Sequence, residues 1–144
     1  MTDPSILVDT STWIEIFQGS PWGQKALARI EMNSPVAVSV LTLYELQYRL
    51  SDFFSGQKIG TLMEIVLNHA EVIPVDTDIA ILAGAIKADQ KKIRSGMGAV
   101  DCMILATARV HGLKIISGDK HFAGLEECLE IPRTSSDLKD KTNS

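Results

Sequence analysis

The chain predicts an α/β domain in which a central, mostly parallel sheet of four to five short strands is flanked by helices on both faces. Three observations carry this. Short apolar runs alternate with longer stretches whose apolar residues recur at helical spacing. The first run is continuously apolar and ends at polar turn formers, as a buried strand does. Short strands separated by helices pair in parallel, with the crossover helices covering the sheet.

Ile6 to Val8 is the first strand, closed by Asp9-Thr10-Ser11. Ser11 is expected to cap a short helix through Trp13, Ile14 and Phe17, which Gly19-Ser20-Pro21 terminates. Trp22 to Met32 carries Trp22, Ala26, Leu27 and Ile30 on one helical face, and Asn33-Ser34-Pro35 breaks it. Val36 to Ser39 is the second strand. A helix from Val40 to Phe54 follows, with Leu43, Leu46, Leu50 and Phe54 at helical spacing. Beyond Gly56, Ile59 to His69 is helical through Ile59, Leu62, Met63, Val66 and Leu67. Glu71 to Val75 is a short third strand that Pro74 should end early. Asp76 or Thr77 starts a long helix reaching about Arg94, and Gly96, in the Ser95–Gly98 loop, suits a helix C-cap. Asp101 to Val110 is helical, ending at His111-Gly112, and Lys114 to Ser117 is the fourth strand. Cys128 to Ile131 is the candidate fifth. The domain is therefore expected over residues 1–131, with 132–144 a polar, lysine-rich, disordered tail.

A chain of 144 residues is long enough to bury one core without disulfides or a structural metal. Its 45% apolar and 22% charged content fits an ordinary globular protein. No run approaches the about 18 apolar residues of a membrane helix. Met1-Thr2-Asp3-Pro4 lacks the basic region and long apolar stretch of a signal peptide, so none is expected. Cys102 and Cys128 make neither a metal-ligand spacing nor a disulfide framework, so a reduced cytoplasmic protein is expected. The net charge of −4 argues against a broad nucleic-acid-coating surface, but not against local contacts with nucleic acid.

Four carboxylates sit where apolar segments begin or end: Asp9, Glu45, Asp101 and Asp119. Singly, each has a local explanation: a helix cap, a solvated helix position, a helix-start acid and a turn residue. Jointly, they fall at one edge. In parallel sheets ligands bind outside the carboxyl ends of the strands, where Asp9 and Asp119 lie. Asp101 and Glu45 sit at or near the starts of helices that could face the same edge. Clustered carboxylates raise one another's pKa, and a hard divalent cation removes that penalty. Mg²⁺ prefers such oxygen ligands and Mn²⁺ accepts them, whereas nothing here suits zinc. His69, His111 and His121 lack ligand spacing and are expected to be structural or solvent-facing, His121 differing only in lying two residues beyond Asp119.

Around these acids the chain resembles the PIN-domain family, and within it the compact toxin ribonucleases of the VapC type. The matching segments are Ile6–Ile14, Val38–Leu46, Asp101–Ala108 and Ile115–Phe122, in that order, and the resemblance spans about residues 5 to 131. It implies a metal-dependent endoribonuclease with Asp9, Glu45, Asp101 and Asp119 as the catalytic acids and Mg²⁺, replaceable by Mn²⁺, as cofactor. Asp9 and Asp101 would be direct metal ligands, with Glu45 and Asp119 holding metal-bound waters or a second ion. The small hydroxyl after the first acid matches Thr10 or Ser11, and the one before the last acid matches Ser117. Ser11 and Ser117 would orient carboxylates or waters from behind. Gly118 departs from the pattern, since a larger residue is common there. The resemblance also implies a protein antitoxin that blocks the site, and a homodimer.

RNA would need cations near the acidic mouth. Lys87, Lys91, Lys92 and Arg94 precede the Asp101 loop and Lys120 follows Asp119, so Lys91, Lys92, Arg94 and Lys120 form a candidate RNA-gripping rim, the alternative being a solvated helix face. Trp13 and Phe17 are expected in the core or a dimer contact rather than stacking on bases. Three other functions remain open: an RNA-processing PIN nuclease without an antitoxin, a phosphoryl-accepting signalling domain, and an inactive binding module. The long helix before Asp101 and the lack of a clear strand-end acceptor weigh against the signalling domain. The presence of all four acids weighs against the inactive module.

Overall fold

The computed structural model describes residues 3–134. Its strands are β1 (Ile6–Val8), β2 (Val36–Ser39), β3 (Ala70–Ile73) and β4 (Lys114–Ile116), joined in one sheet of order β3-β2-β1-β4. Every pairing is parallel, with Leu7 opposite both Ala37 and Ile115. The helices are α1 (Thr10–Gln18), α2 (Pro21–Met32), α3 (Val40–Arg49), α4 (Gly56–His69), α5 (Thr77–Lys92) and α6 (Ala99–His111). Among the described residues no helix is long and apolar enough to cross a membrane.

The alternation of side chains along each strand divides the core in two. Ile6, Val8, Val36, Val38 and Ile116 pack with Trp13, Trp22, Leu46 and Val66 from α1 to α4. Leu7, Ala37 and Ile115 face the other way, against Ile79 and Ile86 of α5 and Ile104 and Leu105 of α6. Burial on both faces is why these strands read as unbroken apolar runs. From β1 the chain steps outward through β2 to β3, then returns to place β4 on the far side of β1. The order of winding thus reverses between β1 and β4, and the crevice at their carboxyl ends is where such sheets bind ligands.

Several boundaries differ from the sequence reading. Asp9, not Ser11, caps α1: its Oδ1 accepts from Thr12 N at 3.1 Å, and Ser11 lies inside the first turn. Pro21 opens α2 rather than ending α1, Ser20 capping it by accepting from Gly23 N, because proline's fixed φ suits a first helical turn. The third helix tightens into a 3₁₀ turn at Leu50–Asp52 instead of continuing to Phe54. α5 ends at Lys92, and Arg94 takes the left-handed backbone (φ 55°) in place of a Gly96 cap. The candidate fifth strand is a single parallel bridge, Ile115 to Cys128, so the sheet has four strands. Backbone pairing with Ile115 stops at Leu129, and the Ile131 carbonyl accepts instead from Trp22 Nε1. Of the tail expected from Pro132, Arg133 packs on Trp22 and Glu15, while residues 135–144 lie outside the described ones.

Candidate active site

Asp9 follows β1 directly and is only 5% exposed. Its Oδ2 accepts from Ser117 Oγ at 2.6 Å and its Oδ1 from Ser11 Oγ at 3.0 Å. Thr12 Oγ1 stands within hydrogen-bond distance of both Asp9 Oδ1 (3.0 Å) and the Ile116 carbonyl (2.9 Å); its one proton serves one at a time. Burial pushes the Asp9 carboxyl up to about 6, against the pull of the bonds from Ser117, Thr12 and Ser11. Here a helix cap and a strand-end acid are one residue.

Ser117 follows β4, so β1–β4 pairing sets it beside Asp9. Its Oγ also accepts from Asp119 N at 2.9 Å, joining the first acid to the last through one hydroxyl. Asp119 begins a turn in which its Oδ1 accepts from His121 N at 2.9 Å, and Phe122, fully buried, anchors that turn in the core. Glu45 projects from α3 and its Oε1 accepts from Thr10 Oγ1 at 2.7 Å; Thr10 Oγ1 also lies 3.2 Å from Thr42 Oγ1.

Asp101 lies in the first turn of α6, where the helix dipole favours an anion. The loop before it is pinned by Lys87, whose Nζ donates to the Met97 carbonyl at 2.7 Å. The Asp101 carboxyl is raised first by burial and then by Asp119, with Glu45 adding to the rise; His121 and a Gly98 backbone bond oppose it. The four acids therefore reach one region from four segments.

His121, expected to be structural, lies inside the cluster. Its Nδ1 sits 3.1 Å from Asp119 Oδ1 and 3.4 Å from Asp101 Oδ2, yet is aligned for a hydrogen bond with neither. One candidate ligand atom from each of Asp101, Asp119 and His121 lies within 4.8 Å of the others. The carboxylate oxygens fit Mg²⁺ or Mn²⁺, whereas the unbonded imidazole nitrogen is a ligand that Zn²⁺ or Fe²⁺ prefers, so His121 runs against the expectation that nothing here suits zinc. Asp9, expected as a direct ligand, is not within that trio; its oxygens lie within hydrogen-bond reach of the hydroxyls of Ser117, Ser11 and Thr12. The Asp119-x-His121 spacing was the available signal, but two residues on a turn do not fix a direction.

An open groove of about 1410 Å³ borders this cluster, reaching from Ser11, Ser117 and Asp119 to Arg49 and Phe53. Lys120 lines it; Lys91, Lys92 and Arg94 do not, and stand exposed at the end of α5 and just beyond, Lys92 lying 3.9 Å from Asp89. Gly118 also has a cause. A Cβ there would stand 2.5 Å from Arg133 Nη2 and 2.6 Å from Glu15 Oε2, so a larger residue would have to displace the ends of that ion pair. Trp13 and Phe17 stack on each other with centroids 6.0 Å apart, Trp13 fully in the core.

The family model of the PIN domain matches residues 6–127. The tRNA(fMet)-specific endonuclease VapC of Salmonella typhimurium is 27% identical over 114 residues, covering 78% of this chain and 85% of its own. Ribonuclease VapC11 of Mycobacterium tuberculosis is 29% identical over 130 residues, covering 81% and 88%. Among solved structures, a toxin–antitoxin complex from Klebsiella pneumoniae superposes with a TM-score of 0.70 at 27% identity, covering 88% of this chain and 97% of the matched one.

Proposed function

We propose, from the premise that this chain belongs to the PIN domain family, that it is a Mg²⁺- or Mn²⁺-dependent endoribonuclease and the toxin of a toxin–antitoxin pair. The observation that carries the reading is the gathering of Asp101, Asp119 and His121 beside Asp9 and Glu45 at the carboxyl edge of the sheet. Relatives named as a ribonuclease and an endonuclease support the activity, and a neighbour solved as a toxin–antitoxin complex supports the partner.

Asp9 and Asp101 would hold the cation directly, with Glu45 and Asp119 holding its waters or a second ion and His121 adjoining Asp101 and Asp119. When bound, a divalent cation would neutralise charge on a phosphodiester and acidify a water for attack on phosphorus. The protein's own part is positional. Ser11 and Ser117 fix the orientation of the Asp9 carboxylate, and the Ser117 hydroxyl carries that registration to the Asp119 backbone. Thr10 holds Glu45 in one rotamer. The start of α6 favours the anionic form of Asp101, against the burial and neighbouring acids that raise its carboxyl. No covalent nucleophile is required, because phosphoryl transfer depends on alignment and electrostatics. Lys120 and Arg49 line the groove and would receive backbone phosphates, Arg133 there being paired with Glu15; Lys91, Lys92 and Arg94, outside the groove, would contribute a weaker contact. The reading also carries a cytoplasmic homodimer and a protein antitoxin as its partner.

Purified protein incubated with a single-stranded RNA, with the new 5′ ends mapped, tests the function. Cleavage with Mg²⁺ or Mn²⁺ that stops in excess EDTA is expected. Cleavage that persists in EDTA, or intact RNA under every metal condition, overturns it.

A further inference from the structure

We propose that Arg133 is a positioning residue for the acid cluster: closed on Glu15 and laid over Trp22, its guanidinium fixes the Ser117–Asp119 segment. The inference rests on the metal-dependent nuclease reading above. Arg133 Nη2 donates to Glu15 Oε2 at 2.6 Å and Nη1 to Oε1 at 3.2 Å, the two-pronged geometry that makes arginine–carboxylate pairs specific. The two side chains are only 16% and 15% exposed, so the pair is shielded from the screening that weakens surface ion pairs. The guanidinium carbon lies 4.5 Å from the centroid of the Trp22 ring, and Trp22 Nε1 donates to the Ile131 carbonyl at 3.0 Å. The end of the described chain is thereby tied to α1 and α2 at two successive points.

The site segment lies directly against this pair. A Cβ at Gly118 would press on the ends of both charged side chains, so the glycine backbone lies close against the pair. On one side of Gly118 is Ser117, bonded to Asp9; on the other is Asp119, in contact with His121. Gly118 N itself donates to Ser11 Oγ at 3.3 Å. A shift of Gly118 into space vacated by Arg133 moves a hydroxyl off Asp9 and a carboxylate off His121 together. Arg133 also neutralises Glu15, which would otherwise be an unpaired, mostly buried carboxylate against Gly118. Breaking such a pair strands the remaining charge.

The test measures Mn²⁺ affinity by calorimetry without RNA, steady-state cleavage, and melting temperature, for wild type, Arg133→Ala, Gly118→Ala and the double variant. In Arg133→Ala, Mn²⁺ affinity and kcat should each fall about 10-fold per folded molecule with KM for RNA little changed, since small misplacements of catalytic groups are costly. Gly118→Ala should impair wild type by a similar factor but have little further effect in Arg133→Ala, because Glu15, no longer clamped by the guanidinium, can swing away from the Cβ; contacting residues couple in this way. Arg133→Lys, which keeps the charge but loses the fork, should fall between, and decides the matter if Arg133→Ala does not fold. A lower melting temperature with unchanged Mn²⁺ affinity and kcat overturns the proposal, as does a rise in KM alone or full additivity of the two substitutions. Wild type that neither binds Mn²⁺ nor cleaves RNA sinks the nuclease reading instead.

Discussion

Asp9→Asn in the metal-free protein should change how stability depends on pH. The Asp9 carboxyl is raised from 3.8 to about 6 in the folded state, chiefly by burial. A folded-state pKa above the unfolded one means the folded protein binds this proton more tightly. The resulting stabilisation is complete below the unfolded value and is lost as pH rises through the folded one. The window is therefore roughly pH 4 to 6. At ~1.4 kcal/mol per unit, a rise of about two units corresponds to roughly 3 kcal/mol of destabilisation at neutral pH, as an order of magnitude. Asp101 is raised too and acts with the same sign, whereas Glu127 is lowered by Arg109 and acts oppositely. Comparing Asp9→Asn with wild type isolates Asp9. Asparagine remains a good N-cap and keeps an acceptor for Thr12 N. Urea titrations of both chelator-stripped proteins by circular dichroism across this range read the difference. The variant should match or exceed wild type at neutral pH, and lose about 3 kcal/mol relative to it as pH falls towards 4. A stability difference that stays constant with pH would refute this account of the buried carboxylate.

Two further outcomes follow from the same cluster and its rim. Mn²⁺ at about 100 times its dissociation constant should stabilise wild type by ~2.7 kcal/mol, and Asp101→Asn should lose most of that gain without melting lower when metal-free. Calorimetric scans decide it; an apo variant several degrees less stable, with its Mn²⁺ response intact, would make Asp101 a structural residue. Changing Lys91, Lys92 and Arg94 to Ala should weaken RNA binding and reduce the dependence of log affinity on log salt, with a larger effect from Lys120→Ala because Lys120 lines the groove. Filter binding across a salt series, with a wild-type slope for the triple variant, would leave that cluster a solvated face.

The strands were legible because burial on both faces writes itself as an unbroken apolar run, and β1, β2 and β4 fall within a residue of their expected bounds. Helix ends were less so. Asp9 and Ser11 are both good caps by type, and only the backbone angles choose Asp9. Likewise, Gly96 suits a left-handed turn that Arg94 takes instead. Ile115 pairs with the segment 127–129 over too short a stretch to make Cys128–Ile131 a strand. In the site, the acids announced themselves by interrupting apolar segments. Their partners did not. Thr10 finds Glu45 across 35 positions, and Arg133 meets Glu15 across 118, distances no local pattern spans. Gly118 read as a departure from the family; the side chains a Cβ would meet there, Glu15 and Arg133, lie far before it in the chain and in a segment that would have passed for tail.

The central claim is that these carboxylates form a cation-dependent site for cutting RNA, and cleavage by Asp101→Asn tests it most directly. The substitution removes charge where the cation is proposed to bind but keeps the side chain's shape. Turnover of one labelled single-stranded RNA in saturating Mg²⁺ should fall at least ~100-fold, with the circular dichroism spectrum and metal-free melting temperature retained. Wild-type turnover in a folded Asp101→Asn protein would contradict the account.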